Sequence, residues 1–122
     1  MDRALLVTAA VLLVGWGVAH LVPTASVVRG FGEISQDNRR IVAMEWITEG
    51  VALIGLGAVS AVLATDPDEA LARSVGLAVF ATLNVLSVVS LRTGAKIRFL
   101  PFRLCPVIFT GSSLLILAAV LG

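Results

Sequence analysis

Four apolar stretches, each close to the ~20 residues a helix needs to cross a bilayer, fill nearly all of this 122-residue chain. They run over Ala4–Val22, Ile41–Ala64, Leu71–Leu91 and Leu104–Leu121. In hydrocarbon such a segment can satisfy its backbone only by bonding within itself as a helix. The fold class this predicts is all-α: an integral membrane four-helix transmembrane bundle, one domain over residues 1–122, with helices at about 4–22, 39–64, 67–92 and 102–121.

Charged residues make up 14% of the chain, about half of what a soluble domain carries. One bundle with short loops is therefore expected, with no soluble domain beside it. A net charge of +1 argues against nucleic acid as a partner, which would need a basic face. The single cysteine, Cys105, rules out an internal disulfide and reads first as a small packing residue. Arg3 ahead of an apolar run resembles a signal peptide. The run exceeds the usual ~7–15 residues and no small-x-small cleavage site follows, so a retained helix is expected.

Proline and glycine punctuate the chain. Pro23 ends the first helix. The longest loop follows, to Asn38, with Arg29, Gly30, Gly32 and Glu33 around Phe31 as a short interfacial turn. Asp37 or Asn38 can cap the second helix. Asp66 is expected to cap the third, with Pro67 in its first position and Glu69 closing a capping box. So short a connection predicts that the second and third helices are antiparallel neighbours. Gly94 ends the third helix, and Pro101 or Pro106 opens the fourth. Gly15 with Ala19, and Gly57 with Ala61, have the small-residue spacing that lets helices approach closely, with Gly55 and Gly76 serving the same end.

Seven Lys and Arg residues (Arg29, Arg39, Arg40, Arg92, Lys96, Arg98, Arg103) flank one side of the predicted spans, against Arg3 and Arg73 on the other. By the positive-inside rule, the first and third loops face the cytoplasm and both termini lie outside.

Ionisable groups in a bilayer core cost a few kcal/mol each on insertion scales, so they need a partner or a purpose. Glu45 and Glu49 are four apart, on one face of the second helix, with Thr48 beside them. Glu49 lies roughly 16 Å along that helix from Asn38. His20 ends the first helix, with Trp16 one turn before it. Asn84 and Ser87 share a face of the third, followed by Arg92, while Arg103 and Cys105 open the fourth. All fall in the predicted cytoplasmic half, and their convergence predicts a polar pocket with an apolar floor.

Plainer roles compete at each position. Glu45 can pair with Arg39, Arg92 or Arg103 at the interface, and Glu49 can pin helices together. His20 suits an interfacial hydrogen bond, Trp16 and Trp46 suit packing, and Asn84 with Ser87 suits interhelical glue. The cations fix topology first and contact anionic lipid second. His20, Glu45, Glu49 and Cys105 carry the donor types of a mixed metal site. The Glu-x-x-His pair of di-iron bundles is absent, and a single histidine excludes haem with two histidine ligands. No metal or cofactor is expected.

Gly17-Val18-Ala19-His20-Leu21, with Met44-Glu45-Trp46-Ile47-Thr48-Glu49-Gly50-Val51-Ala52-Leu53, resembles the first two helices of the small DoxX-like membrane proteins. That resemblance covers about half the chain. It implies a left-handed four-helix bundle acting as a partner or small subunit of membrane redox systems, with His20 where that family has its usual basic residue. A fainter resemblance, through His20-Leu21-Val22, Gln36-Asp37-Asn38-Arg39-Arg40 and Met44-Glu45-Trp46-Ile47-Thr48, is to EXPERA-type membrane isomerases and sterol-binding proteins. It implies proton transfer to an alkene by His20 and Glu45. The chain has no tyrosine and few aromatics, which argues against a sterol.

The leading functional expectation is a membrane protein holding a quinone- or isoprenoid-like molecule in this pocket, as a component of a membrane complex or a homodimer, in contact with membrane lipid. The second is an acid–base isomerase or cyclase of a lipophilic substrate, with Glu49 or Glu45 as proton donor and His20 as second proton carrier. The third is a dimeric proton-coupled transporter.

Overall fold

A computed structural model describes residues 1–66 and 68–122. It is all-α, with four long helices whose length and apolarity suit membrane spans and one short helix: α1 (Arg3–Leu21), α2 (Thr24–Gly30), α3 (Gln36–Thr65), α4 (Glu69–Thr93) and α5 (Leu100–Leu121).

Most helix ends follow the local chemistry, with corrections at two N-caps. The Asp2 carboxylate caps α1, accepting from the Ala4 and Leu5 amides. Ser35, not Asp37 or Asn38, caps α3 by accepting from the Asn38 amide at 3.1 Å. This helix therefore starts about one turn earlier than expected and carries Arg39 and Arg40 within it. Asp68, not Asp66, caps α4, accepting from the Ala70 and Leu71 amides at 3.0 Å each. Asp66 is already committed to ending α3, where its amide donates to the Val62 carbonyl. The position expected for Pro67 lies outside the described residues. The loop after Pro23 contains a real helical segment, α2, and turns at Gly32 with φ +70°, a conformation glycine adopts without strain. Pro101 sits in the first turn of α5, but Pro106 is inside that helix and has no N–H to offer the Phe102 carbonyl.

The bundle is held along three seams. On α1 and α3, a Cβ added to Gly17 would lie 2.8 Å from the Gly50 carbonyl oxygen, and one on Gly57 3.0 Å from the Ala10 carbonyl oxygen. These two backbones therefore approach as closely as glycine allows. Gly15 and Gly55 instead have nothing within 4 Å and face outward, as do Ala19 and Ala61. The small-residue spacing picked out Gly57 and Gly76 correctly, missed Gly17 and Gly50, and misassigned Gly15, Ala19, Gly55 and Ala61. Gly76 receives Val120 where α4 meets α5. The Asp2 amide donates to the Ala119 carbonyl at 3.0 Å, tying the start of α1 to the end of α5. Leu6, Leu13, Leu53, Leu83, Phe109 and Ile116 form the centre of the core.

The order around the bundle is thus α3, α1, α5, α4. Although α3 and α4 are consecutive and antiparallel, they scarcely pack on each other. The buried residues of α4 (Ala72, Gly76, Val79, Leu83 and Ser87) form one stripe at helical spacing, and α5 is the helix packed most extensively on α4. This corrects the expectation of neighbouring helices. A short connection fixes sense but not contact, and the glycine surfaces direct α3 to α1 and α4 to α5. A cleft is left along the α3–α4 seam.

Candidate functional site in the α3–α4 cleft

The site begins with the last turn of α1, whose final carbonyls have no helical partner. One of them, on His20, accepts from Trp46 Nε1 of α3 at 2.7 Å. The same tryptophan lays its ring on the His20 imidazole, with centroids 3.8 Å apart and planes 16° from parallel. Backbone and side chain of His20 are thus both held by Trp46. Phe102 of α5 meets the other side of the cluster, 5.3 Å from Trp46 edge to face. Trp46→Phe keeps an aromatic ring but removes the N–H, and should cost about 1 kcal/mol. Trp46→Ala loses the stack as well and should cost about 3–5 kcal/mol. Thermal unfolding in detergent would measure both, and two variants as stable as wild type would show that this clamp contributes nothing.

Held this way, His20 directs Nε2 at Glu49, one turn beyond Trp46. The Nε2–Oε2 distance is 3.5 Å, too long for a good hydrogen bond. The histidine side chain is 2% exposed, whereas that of Glu49 is 42% exposed. Cys105, in the second turn of α5, completes the group. The imidazole nitrogen, a carboxylate oxygen and the thiol sulfur all lie within 4.8 Å of one another. His20 Nε2 and Trp16 Nε1 are buried without a hydrogen-bond partner.

Glu49 opens onto the cleft, which consists of two adjoining cavities that share Glu49, Leu86, Ile97 and Phe102. The larger, of about 570 Å³, runs along α3 past Glu45, Thr48 and Ala52 toward Val27 and Phe31. The smaller, of about 320 Å³, reaches inward to Cys105 and Phe109. Leu53 and Phe109 give the cleft an apolar floor.

The remaining expected site residues divide. Thr48 and Glu45 line the larger cavity. Glu45 is exposed and makes no ion pair with Arg39, Arg92 or Arg103: among the described residues the pairs are His20–Glu49 and Arg40–Asp37. Arg39 donates instead to the Gly32 carbonyl at 3.0 Å. Arg92 and Arg103 are exposed and line neither cavity, because each sits on the outward side of its helix. Asn84 donates to Phe80 O of its own helix rather than into a pocket. Ser87 is an interhelical tie, 2.6 Å from the Thr110 hydroxyl and 3.3 Å from the Pro106 carbonyl it donates to. Trp16 packs half-buried beside the core.

Sequence reasoning did not single out Phe102, Ile97 or Leu86 as cleft residues. The basic, aromatic run Ala95–Arg103 is the signal that points to Phe102. Spacing gives none for the trio His20, Glu49 and Cys105, which comes from three helices. No family model, curated protein or solved structure matches this chain.

Proposed function

We propose that the protein binds a lipophilic molecule bearing a polar head, of quinone or isoprenoid character, in the cleft between α3 and α4. One observation carries this reading: the seam is apolar along its walls and open at the side, and its polar inner patch is Glu49 backed by His20. The volume falls in the range typical of small-molecule sites. A lipid-soluble ligand could enter laterally from the bilayer and place its head against the carboxylate. The cation-rich loops lie at the same end as the site, so the positive-inside rule sets the cleft in the cytoplasmic leaflet with both termini outside. Beyond its single buried stripe, α4 leaves its surface free for a neighbour, which suits a subunit of a membrane complex or a homodimer.

The 3.5 Å pairing of a buried imidazole with a carboxylate supports a second reading. In an acid–base isomerase or cyclase, Glu49 would hand a proton to the bound lipophile and His20 would stand behind it as second carrier. Glu45, in the outer cavity, is too peripheral to share that role.

Mass spectrometry of small molecules extracted from the purified protein, run beside Glu49→Gln, tests the binding reading. A specific lipophile in the wild type, depleted in the variant, is the expected result. Bulk phospholipid alone in both would reduce Glu49 to a tie between helices.

A further inference from the structure

We infer that His20 Nε2, Glu49 and Cys105 Sγ form a binding site for a divalent transition metal of the zinc class, with its fourth position open to the cleft. This goes beyond the lipophile reading and does not depend on it, since metal binding is measured separately from ligand retention.

Geometry is the first support. Around a tetrahedral ion with ligand bonds of about 2.0–2.3 Å, neighbouring donors stand roughly 3.3–3.8 Å apart. His20 Nε2 and Glu49 Oε2 are already 3.5 Å apart, and the sulfur lies within 4.8 Å of an imidazole nitrogen and a carboxylate oxygen of this pair. A small rotation of the Cys105 or Glu49 side chain closes the set. The second support is the histidine. His20 is only 4% exposed, and its Nε2 aims at the other two donors with no hydrogen bond of its own. A buried polar atom left in this condition calls for an explanation. Coordination supplies one, and the stacked Trp46 ring restrains the imidazole while its indole N–H holds the His20 backbone carbonyl.

Charge is the third support. A thiolate and a carboxylate bring two negative charges, and a divalent ion cancels them while the imidazole stays neutral. Binding releases the thiol proton, and that of Glu49 where the acid is protonated, to solvent. The product is a neutral cluster, the form least costly to hold among apolar helices. Mixed nitrogen, sulfur and oxygen donors suit zinc better than hard cations such as magnesium or calcium. Glu49 and Cys105 both border the inner cavity. The vacant position therefore faces the space where a water or the oxygen of a polar headgroup would sit, as in sites with three protein ligands.

The test is a Co²⁺ titration of the full chain, purified in detergent without a polyhistidine tag, followed by ultraviolet and visible absorption. Because Cys105 is the only cysteine, a cobalt–thiolate charge-transfer band in the wild type reports this residue without any variant. We expect one equivalent per chain, intense visible bands of tetrahedral cobalt, and displacement by Zn²⁺. His20→Gln and Glu49→Gln should each weaken binding roughly ten-fold or more, with helical content by circular dichroism unchanged. No thiolate band at one equivalent of Co²⁺ in the wild type overturns the inference. So does a band whose affinity in both variants is unchanged from the wild type, which would mean a thiol adduct without the other two ligands. Retention of the extracted lipophile alongside either result would leave the ligand reading standing by itself.

Discussion

Gly17→Ala is expected to destabilise the protein by about 1–3 kcal/mol, the usual cost of forcing atoms into a filled interior. The same substitution at Gly15, two residues away, should be neutral or slightly stabilising, because alanine is the better helix residue by roughly 0.5–1 kcal/mol. The difference follows from what a new methyl group meets. At Gly17 it would stand 2.8 Å from the Gly50 carbonyl oxygen and 3.0 Å from the Ile54 amide nitrogen, both backbone atoms that cannot turn aside. At Gly15 it would meet nothing within 4 Å. Relief at Gly17 requires α1 and α3 to separate, and these helices carry His20 and Glu49. The variant should therefore also lose occupancy of the cleft. Thermal unfolding of both variants in one detergent decides the matter, and equal melting temperatures would mean that the α1–α3 seam is not packed as described.

Ala52→Trp should abolish ligand retention while leaving the fold intact. Ala52 lies three residues after Glu49 on α3, exposed and lining the larger cavity. An indole there occupies the space in front of Glu49 without displacing any core residue. Away from buried features, substitutions usually change stability by less than about 0.5 kcal/mol, so circular dichroism and the melting temperature of ligand-free protein should match the wild type. Any stabilisation conferred by bound ligand should vanish with it. Ala58→Trp serves as the control, being exposed on the same helix but outside both cavities. Loss of extracted lipophile in the first variant and not the second supports the cleft. Undiminished retention in Ala52→Trp would mean that the molecule binds elsewhere on the surface.

Several features of the site were legible in the sequence. Placing His20 at the end of one helix, Glu49 in the early part of another and Cys105 at the start of a third puts them at one end of the bundle whatever the packing. Arg92 and Arg103 satisfied the same depth criterion, yet they face outward. Depth along a helix follows from counting residues, but rotation about its axis is set by which neighbour it packs on. For Asn84, the expected interhelical bond gave way to a local one, since the Phe80 carbonyl one turn back offers an acceptor at 2.8 Å.

By itself the sequence determined the number of long apolar helices and the segregation of polar groups to one end, because backbone hydrogen bonding in hydrocarbon leaves an apolar run no other form. Only the tertiary structure decided which helices touch. Gly17, Gly50 and Gly57 bring α3 onto α1, and Gly76 brings α4 onto α5. The seam between two consecutive helices is consequently the one left open. Close packing depends on the shapes of two surfaces together, and no single stretch of sequence contains both.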